Sequence, residues 1–139
     1  MTKTTEGMAG RVVIITGGGT GVGRATCVKF AKDGYSVVVV YSRSMTEASS
    51  TVDEIVTAGG KAIAVRADVS VDSECRAMVA ETLKTFGRID VLINCAGTTD
   101  FIPFQNLEAV TDDVWERLYK VNVVGAFHCA RAVQAAMLL

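Results

Sequence analysis

The sequence predicts an α/β fold, a doubly wound parallel sheet with helices on both faces. Three observations predict it. Four short, mostly β-branched apolar runs alternate with longer helical patterns. The first three helical stretches each stop at glycine just before the next run. A glycine-dense turn joins the first run directly to the first helix.

The apolar runs are Val12–Thr16, Val37–Tyr41, Ala62–Ala67 and Val91–Asn94. They are continuous rather than alternating, the pattern of strands buried on both faces of a parallel sheet. Helical patterns fill residues 21–33, 45–58 and 71–86, and Gly34, Gly59-Gly60 and Gly87 close them. Glycine after a helix supplies the left-handed residue that stops it without a Cβ clash. Repeated βα units of this kind imply right-handed crossovers. The single proline, Pro103, falls in the loop after the fourth run, and no Pro-, Ser- or charge-rich linker divides the chain. One domain over residues 1–139 is expected. A last helix is expected from Thr111, with Thr111 as N-cap and Asp112 and Asp113 at its positive end. Beyond Leu118, Val121, Val123, Val124, Phe127, Ala130, Val133 and Met137 spread around much of its circumference. That spread predicts burial on more than one side, against its own sheet or against another subunit.

Composition narrows the function classes. The chain has 139 residues, half of them hydrophobic, and 14 basic against 15 acidic residues give a net charge of -1. No basic block is present to neutralise a nucleic-acid backbone, and no basic amphipathic helix marks a membrane surface. Met1–Gly10 is short and polar, without the apolar core of a signal peptide. The apolar stretch Gly125–Leu139 is broken by His128, Arg131 and Gln134 and is too short to cross a bilayer. Cys27, Cys75, Cys95 and Cys129 stand far apart, with no C-x-x-C pair and one histidine in the chain, so no metal site is expected. Each cysteine lies in an apolar run and reads as a small core residue, for which a reducing cytoplasm is the simplest setting.

The decisive stretch is Thr16-Gly17-Gly18-Gly19-Thr20-Gly21-Val22-Gly23-Arg24-Ala25. Glycines let the backbone turn tightly and let a pyrophosphate approach the amides of a helix N-terminus, where the helix dipole favours negative charge. Gly17, Gly19, Thr20, Gly21, Val22 and Gly23 are therefore the candidate phosphate contacts. A strict G-x-G-x-x-G is not met, because Val22 or Arg24 occupies the third glycine position in either register. What is present, from Thr16 to Gly23, is T-G-x-x-x-G-x-G.

That spacing resembles the cofactor motif of the short-chain dehydrogenase/reductase family, and further motifs follow in the family's order. Asp68-Val69, after the third run, resembles the segment whose aspartate contacts adenine. Asn94-Cys95-Ala96-Gly97 resembles N-N-A-G, with Cys95 in place of the second asparagine and Asn94 as the expected sheet brace. Val121-Asn122-Val123-Val124-Gly125 resembles the helix segment that carries the catalytic asparagine, here Asn122. The resemblance spans nearly the whole chain from Arg11 and implies a Rossmann-type NAD(P)-binding domain. Asp68, Val69, Asn94, Ala96 and Gly97 are its expected cofactor contacts.

The second run ends Val40-Tyr41-Ser42-Arg43-Ser44 without an acid. An acid there grips the ribose hydroxyls of NAD and repels a 2′-phosphate. Its absence, together with Arg43, favours NADP(H) over NAD(H) as cofactor, since arginine suits a bidentate grip on phosphate. Tyr41, Ser42, Arg43 and Ser44 are the candidates for this end of the site, with Arg24 as an auxiliary.

The family resemblance implies hydride transfer between nicotinamide and a carbonyl or alcohol carbon, with a tyrosine passing the proton. A lysine tunes that tyrosine, a serine positions the carbonyl, and the asparagine holds a water of the relay. Asn122 alone is matched in this sequence. Tyr35, Tyr41 and Tyr119 lack a lysine four residues on, and the Y-x-x-x-K element belongs to segments after Leu139. The chain reads as the leading portion of a longer enzyme whose domain is cut before its Tyr/Lys segment. The alternative is a short nucleotide-binding or assembly module without turnover. The general look is that of 3-oxoacyl-carrier-protein reductases and of sugar or ketone reductases. A homo-oligomer, dimer or tetramer, paired through the last helix is also implied.

Overall fold

The computed structural model describes residues 9–138. The polar leader Met1–Met8 and the terminal Leu139, both part of the expectations above, lie outside the described residues. The elements run β1 (Val12–Thr16), α1 (Gly21–Lys32), β2 (Ser36–Tyr41), α2 (Met45–Thr57), β3 (Lys61–Arg66), α3 (Asp72–Phe86) and β4 (Val91–Asn94). A short 3₁₀ turn (Leu107–Ala109), α4 (Asp112–Tyr119), a π turn (Lys120–Val124) and α5 (Gly125–Met137) follow. All strand pairings are parallel, in the order β3-β2-β1-β4. This is the first half of the doubly wound order in which the winding reverses beside β1.

The two central strands explain the layering. Val12 and Ile14 of β1, with Val38 and Val40 of β2, pack on one face against Cys75, Met78 and Val79 of α3 and Cys129 and Val133 of α5. Val13, Ile15, Val37 and Val39 pack on the other against Cys27 of α1 and Ala48 and Ile55 of α2. Alternate side chains of a strand point to opposite faces, so a continuous apolar run serves both layers. Gly34, Gly59 and Gly87 take φ of +91°, +88° and +77° at the ends of α1, α2 and α3, as the sequence predicts.

Three expectations are corrected. β3 and β4 are edge strands among the described residues, and their side chains are half-buried or exposed rather than sealed on both faces. Cys95 is only half-buried, whereas the other three cysteines are buried. The last helix is not one cylinder buried on several sides. It is α4 and α5 joined through the π turn, and α4 buries none of its residues. Thr111 does stand at the N-cap, but its hydroxyl makes no capping bond. Trp115, Tyr119, Val123 and Phe127 are between 51% and 66% exposed, so the apolar surface that was expected inside faces outward.

Candidate functional site

A cleft of about 630 Å³ opens along the carboxyl ends of the strands. In open α/β sheets this is where ligands bind, at the point where strand order reverses. Its floor is the glycine turn between β1 and α1. Gly17, at φ +65°, lets the chain reverse while its backbone lies against Ala96; a Cβ there would sit 3.0 Å from the Ala96 backbone. Gly23 is required by a closer approach, since a Cβ would fall 2.0 Å from the Gly17 carbonyl oxygen. Cys27 supports the turn from below, its Sγ 3.7 Å from the Gly18 carbonyl, and burial pushes its thiol up to about 12. At ordinary pH it is therefore a neutral thiol able to donate.

The N-terminus of α1 opens into this cleft. Thr20 is its N-cap but makes no side-chain capping bond, and the first turn carries no acid. The amides of Gly21, Val22 and Gly23 have no acceptor among the described residues. Uncapped first-turn amides with a positive dipole end are suited to an anion. Val22 is 77% exposed at the same place, open to a ligand rather than packed in the core.

Tyr41, Ser42, Arg43 and Ser44 form one end of the cleft, as expected. Arg43 is exposed and makes no ion pair among the described residues. Glu47, which sequence reasoning missed, also reaches this end from the first turn of α2. Arg24 does not assist here. It faces away, bound to Glu54 at 2.7 Å.

Asp68 and Val69 line the wall beside Arg43. Ser70 donates its hydroxyl (2.7 Å) and its amide (2.9 Å) to Asp68 Oδ1. The hydroxyl bond chiefly holds the Asp68 carboxyl below the usual carboxylate range, with the Ser70 amide and the charges of Arg43 and Arg66 adding to it against a partial burial cost. Oδ2 of this charged group has no partner among the described residues. Glu74 fixes the segment by accepting the Asp68 amide at 2.7 Å.

The far end belongs to Ala96 and Gly97 with two residues the sequence did not mark, Thr98 and Arg117. Asn122 does not line the cleft. Its Oδ1 accepts the Thr98 amide at 2.8 Å and its Nδ2 donates to the Thr98 carbonyl at 2.9 Å, so both side-chain groups are committed to one backbone unit. Arg117 adds a bond to the Thr98 hydroxyl at 3.0 Å and an ion pair with Asp100 at 2.5 Å. Asn94 is likewise outside the cleft, exposed on the edge strand. The brace expected of it is made by Thr16, whose buried Oγ1 accepts the amides of Cys95 and Ala96, each at 3.1 Å. A threonine at the end of an otherwise aliphatic strand was the available signal. Among the described residues there is no cluster of three potential metal ligands, and no helix is long and apolar enough to cross a membrane.

Comparison with known proteins agrees with this geometry. The family model described as short chain dehydrogenase matches residues 11–138. A short-chain dehydrogenase/reductase homolog of Bacillus subtilis, YusS, is 46% identical over 104 residues, which cover 75% of this chain and 95% of that protein. A 3-oxoacyl-[acyl-carrier-protein] reductase of Synechocystis is 37% identical over 94% of this chain and 52% of its own. A crystal structure of a hydroxysteroid dehydrogenase from Escherichia coli superposes with a TM-score of 0.81 at 35% identity, covering 94% of this chain and 53% of that one. The chain thus spans about half the length of the latter two relatives and nearly all of the Bacillus one. Its sheet order, glycine turn and matched length together make this chain a member of the short-chain dehydrogenase/reductase family, which uses a nicotinamide cofactor.

Proposed function

We propose that this chain forms the NADP(H)-binding half of a reductase that exchanges hydride between nicotinamide and a small carbonyl or alcohol substrate. The observation that carries the reading is the pairing of uncapped α1 amides with an unpartnered Arg43 at opposite parts of one cleft. The amides of Gly21, Val22 and Gly23, beside Gly17, Gly19 and Thr20, receive the pyrophosphate. Arg43, with Tyr41, Ser42 and Ser44, receives the adenosine ribose and its 2′-phosphate. Asp68 accepts from the adenine amino group with the oxygen that Ser70 leaves free, and Val69, Ala96 and Gly97 supply wall and floor.

When bound, the cofactor supplies the hydride. The residues of this chain bind and orient it. Asn122 orders the Gly97–Thr98 backbone at the nicotinamide end, and its place in the proton path falls to its main chain because its amide is committed to Thr98. The tyrosine, lysine and serine of the family's reaction belong to segments beyond Leu139. The relatives named for 3-oxoacyl and hydroxysteroid substrates point to a carbonyl on a carbon skeleton as the substrate class. The outward stripe of Trp115, Tyr119, Val123 and Phe127 fits a second copy of the chain, giving a dimer or tetramer. Three buried thiols fit a reducing cytoplasm.

The test is a fluorescence titration of the purified chain with NADPH and with NADH. Binding of NADPH at least tenfold tighter is expected. Equal affinities overturn the NADP(H) preference, and no binding of either overturns the cofactor reading. A second reading, a nucleotide-binding or assembly module, draws on the Bacillus relative, which 104 residues of this chain span almost completely. NADPH binding without hydride transfer to any carbonyl tested supports that reading.

A further inference from the structure

One wall of the cleft is a strap, Asp68–Val71, running from the end of β3 to the start of α3. Successive turns of α5 hold it from behind. Gly125 lies so close that a Cβ would come within 2.6 Å of Val69 Cγ2. His128, the one histidine of the chain, places Nδ1 2.9 Å from the Val69 carbonyl oxygen. Arg131 pairs with Asp72, at the far end of the strap, at 2.8 Å. Positions 125, 128 and 131 recur every three residues and so share one helix face. The three contacts are of different kinds: a close backbone approach, a hydrogen bond and an ion pair.

The hydrogen bond has a defined direction. A carbonyl oxygen only accepts, so Nδ1 must carry the hydrogen. Cys75 Sγ lies 3.6 Å from the same oxygen, a weak second donor from α3. Val69 itself is 5% exposed, and its neighbour Asp68 presents a free carboxylate oxygen to the cleft. A change in the height of the Val69 carbonyl is passed through one peptide unit to Asp68.

We propose that His128 is a positioning residue for the cofactor: its Nδ1–H fixes the Val69 carbonyl and thereby sets the strap that carries Asp68 against the adenine. The role rests on the reading that the cleft takes a nicotinamide dinucleotide. It differs from that of Arg43, because a strap against adenine serves NADPH and NADH alike, whereas Arg43 distinguishes them.

The experiment compares wild type, His128→Leu and His128→Asn. NADPH and NADH are titrated by fluorescence, reduced nicotinamide mononucleotide serves as control, and amide hydrogen exchange is followed over residues 67–72. Loss of one hydrogen bond predicts about fivefold to tenfold weaker binding of both dinucleotides by His128→Leu. Exchange across the strap becomes faster, and the mononucleotide, which has no adenine, is unaffected. His128→Asn restores binding to within about twofold, because its Nδ2 donor stands about where the imidazole Nδ1 does. The role is overturned if His128→Leu binds dinucleotides as wild type does, or if Leu and Asn variants lose equally. Wild type that binds neither dinucleotide overturns the cofactor reading and this role with it, an outcome distinct from failure confined to the variants.

Discussion

The centre of the sheet and the α4–α5 arm are both apolar in sequence, yet they place that surface differently. Val12 to Ile15 and Val37 to Val40 are at most 1% exposed, each strand covered on both faces by helices of the same chain. Along the arm, Trp115, Tyr119, Val123 and Phe127 remain more than half exposed. An apolar pattern reports that a surface needs cover, but it does not report who provides it. For β1 and β2 the cover is local, delivered by the helix that follows each strand. For the arm it comes from outside the described residues.

The largest effect that would sharpen this contrast is at the glycine turn. Gly23→Ala sets a Cβ against the Gly17 carbonyl. On the order of 3 kcal/mol of stability is lost, read as a lower midpoint in thermal denaturation, together with nucleotide binding. Close behind comes a matched pair. Ile14→Ala removes a fully buried side chain and costs about 3 kcal/mol, whereas Phe127→Ser costs at most about 0.5 kcal/mol in the isolated fold. Urea denaturation at low and high protein concentration checks both. A large cost for Phe127→Ser that grows with concentration breaks the contrast by showing the arm covered by a second copy.

A smaller effect tests the exposed rim of the cleft. Arg43→Ala weakens NADPH about tenfold, the worth of one charged phosphate contact, and leaves NADH within about twofold. Equal losses in a parallel titration show that Arg43 does not read the 2′-phosphate. The smallest effect concerns the ion pairs that tie α3 to α5. Arg76, then Arg131, hold the Asp72 carboxyl down to about 2. Its folded value lies below the unfolded one, so the contribution is complete above about pH 4 and fades as pH falls toward 2. Arg131→Gln should flatten that part of a stability-against-pH profile, and an unchanged profile would show that Arg76 alone suffices.

Much of the fold was legible because it is written in local terms. The boundaries of β1, α1, α2 and α3 come from residue periodicity and from Gly34, Gly59 and Gly87, and all fall within a residue of expectation. The phosphate floor was legible for the same reason. What escaped depends on contacts across long sequence separation. Thr16 braces Cys95 and Ala96 from the neighbouring strand, and Arg117 and Asn122 meet Thr98 only after the arm has crossed the end of the sheet. Asn94 carried a motif letter but stands on an exposed edge, where it has no neighbour to brace. Glu47 was invisible as a rim residue because α2 must first swing its N-terminus beside Gly19.

The π turn at Lys120–Val124 acts as a phase adjuster within the arm. An α-helix advances about 100° per residue, and a single wide turn absorbs one extra residue without breaking the rod. Deleting one residue between Lys120 and Val124 would leave a continuous helix of ordinary pitch but rotate everything after it by about 100°. Gly125, His128 and Arg131 would turn away from Val69 and Asp72, and Phe127 would leave the outward stripe. The cofactor wall and the outer face are thus clocked by the same irregularity, so a length change there cannot alter one without the other.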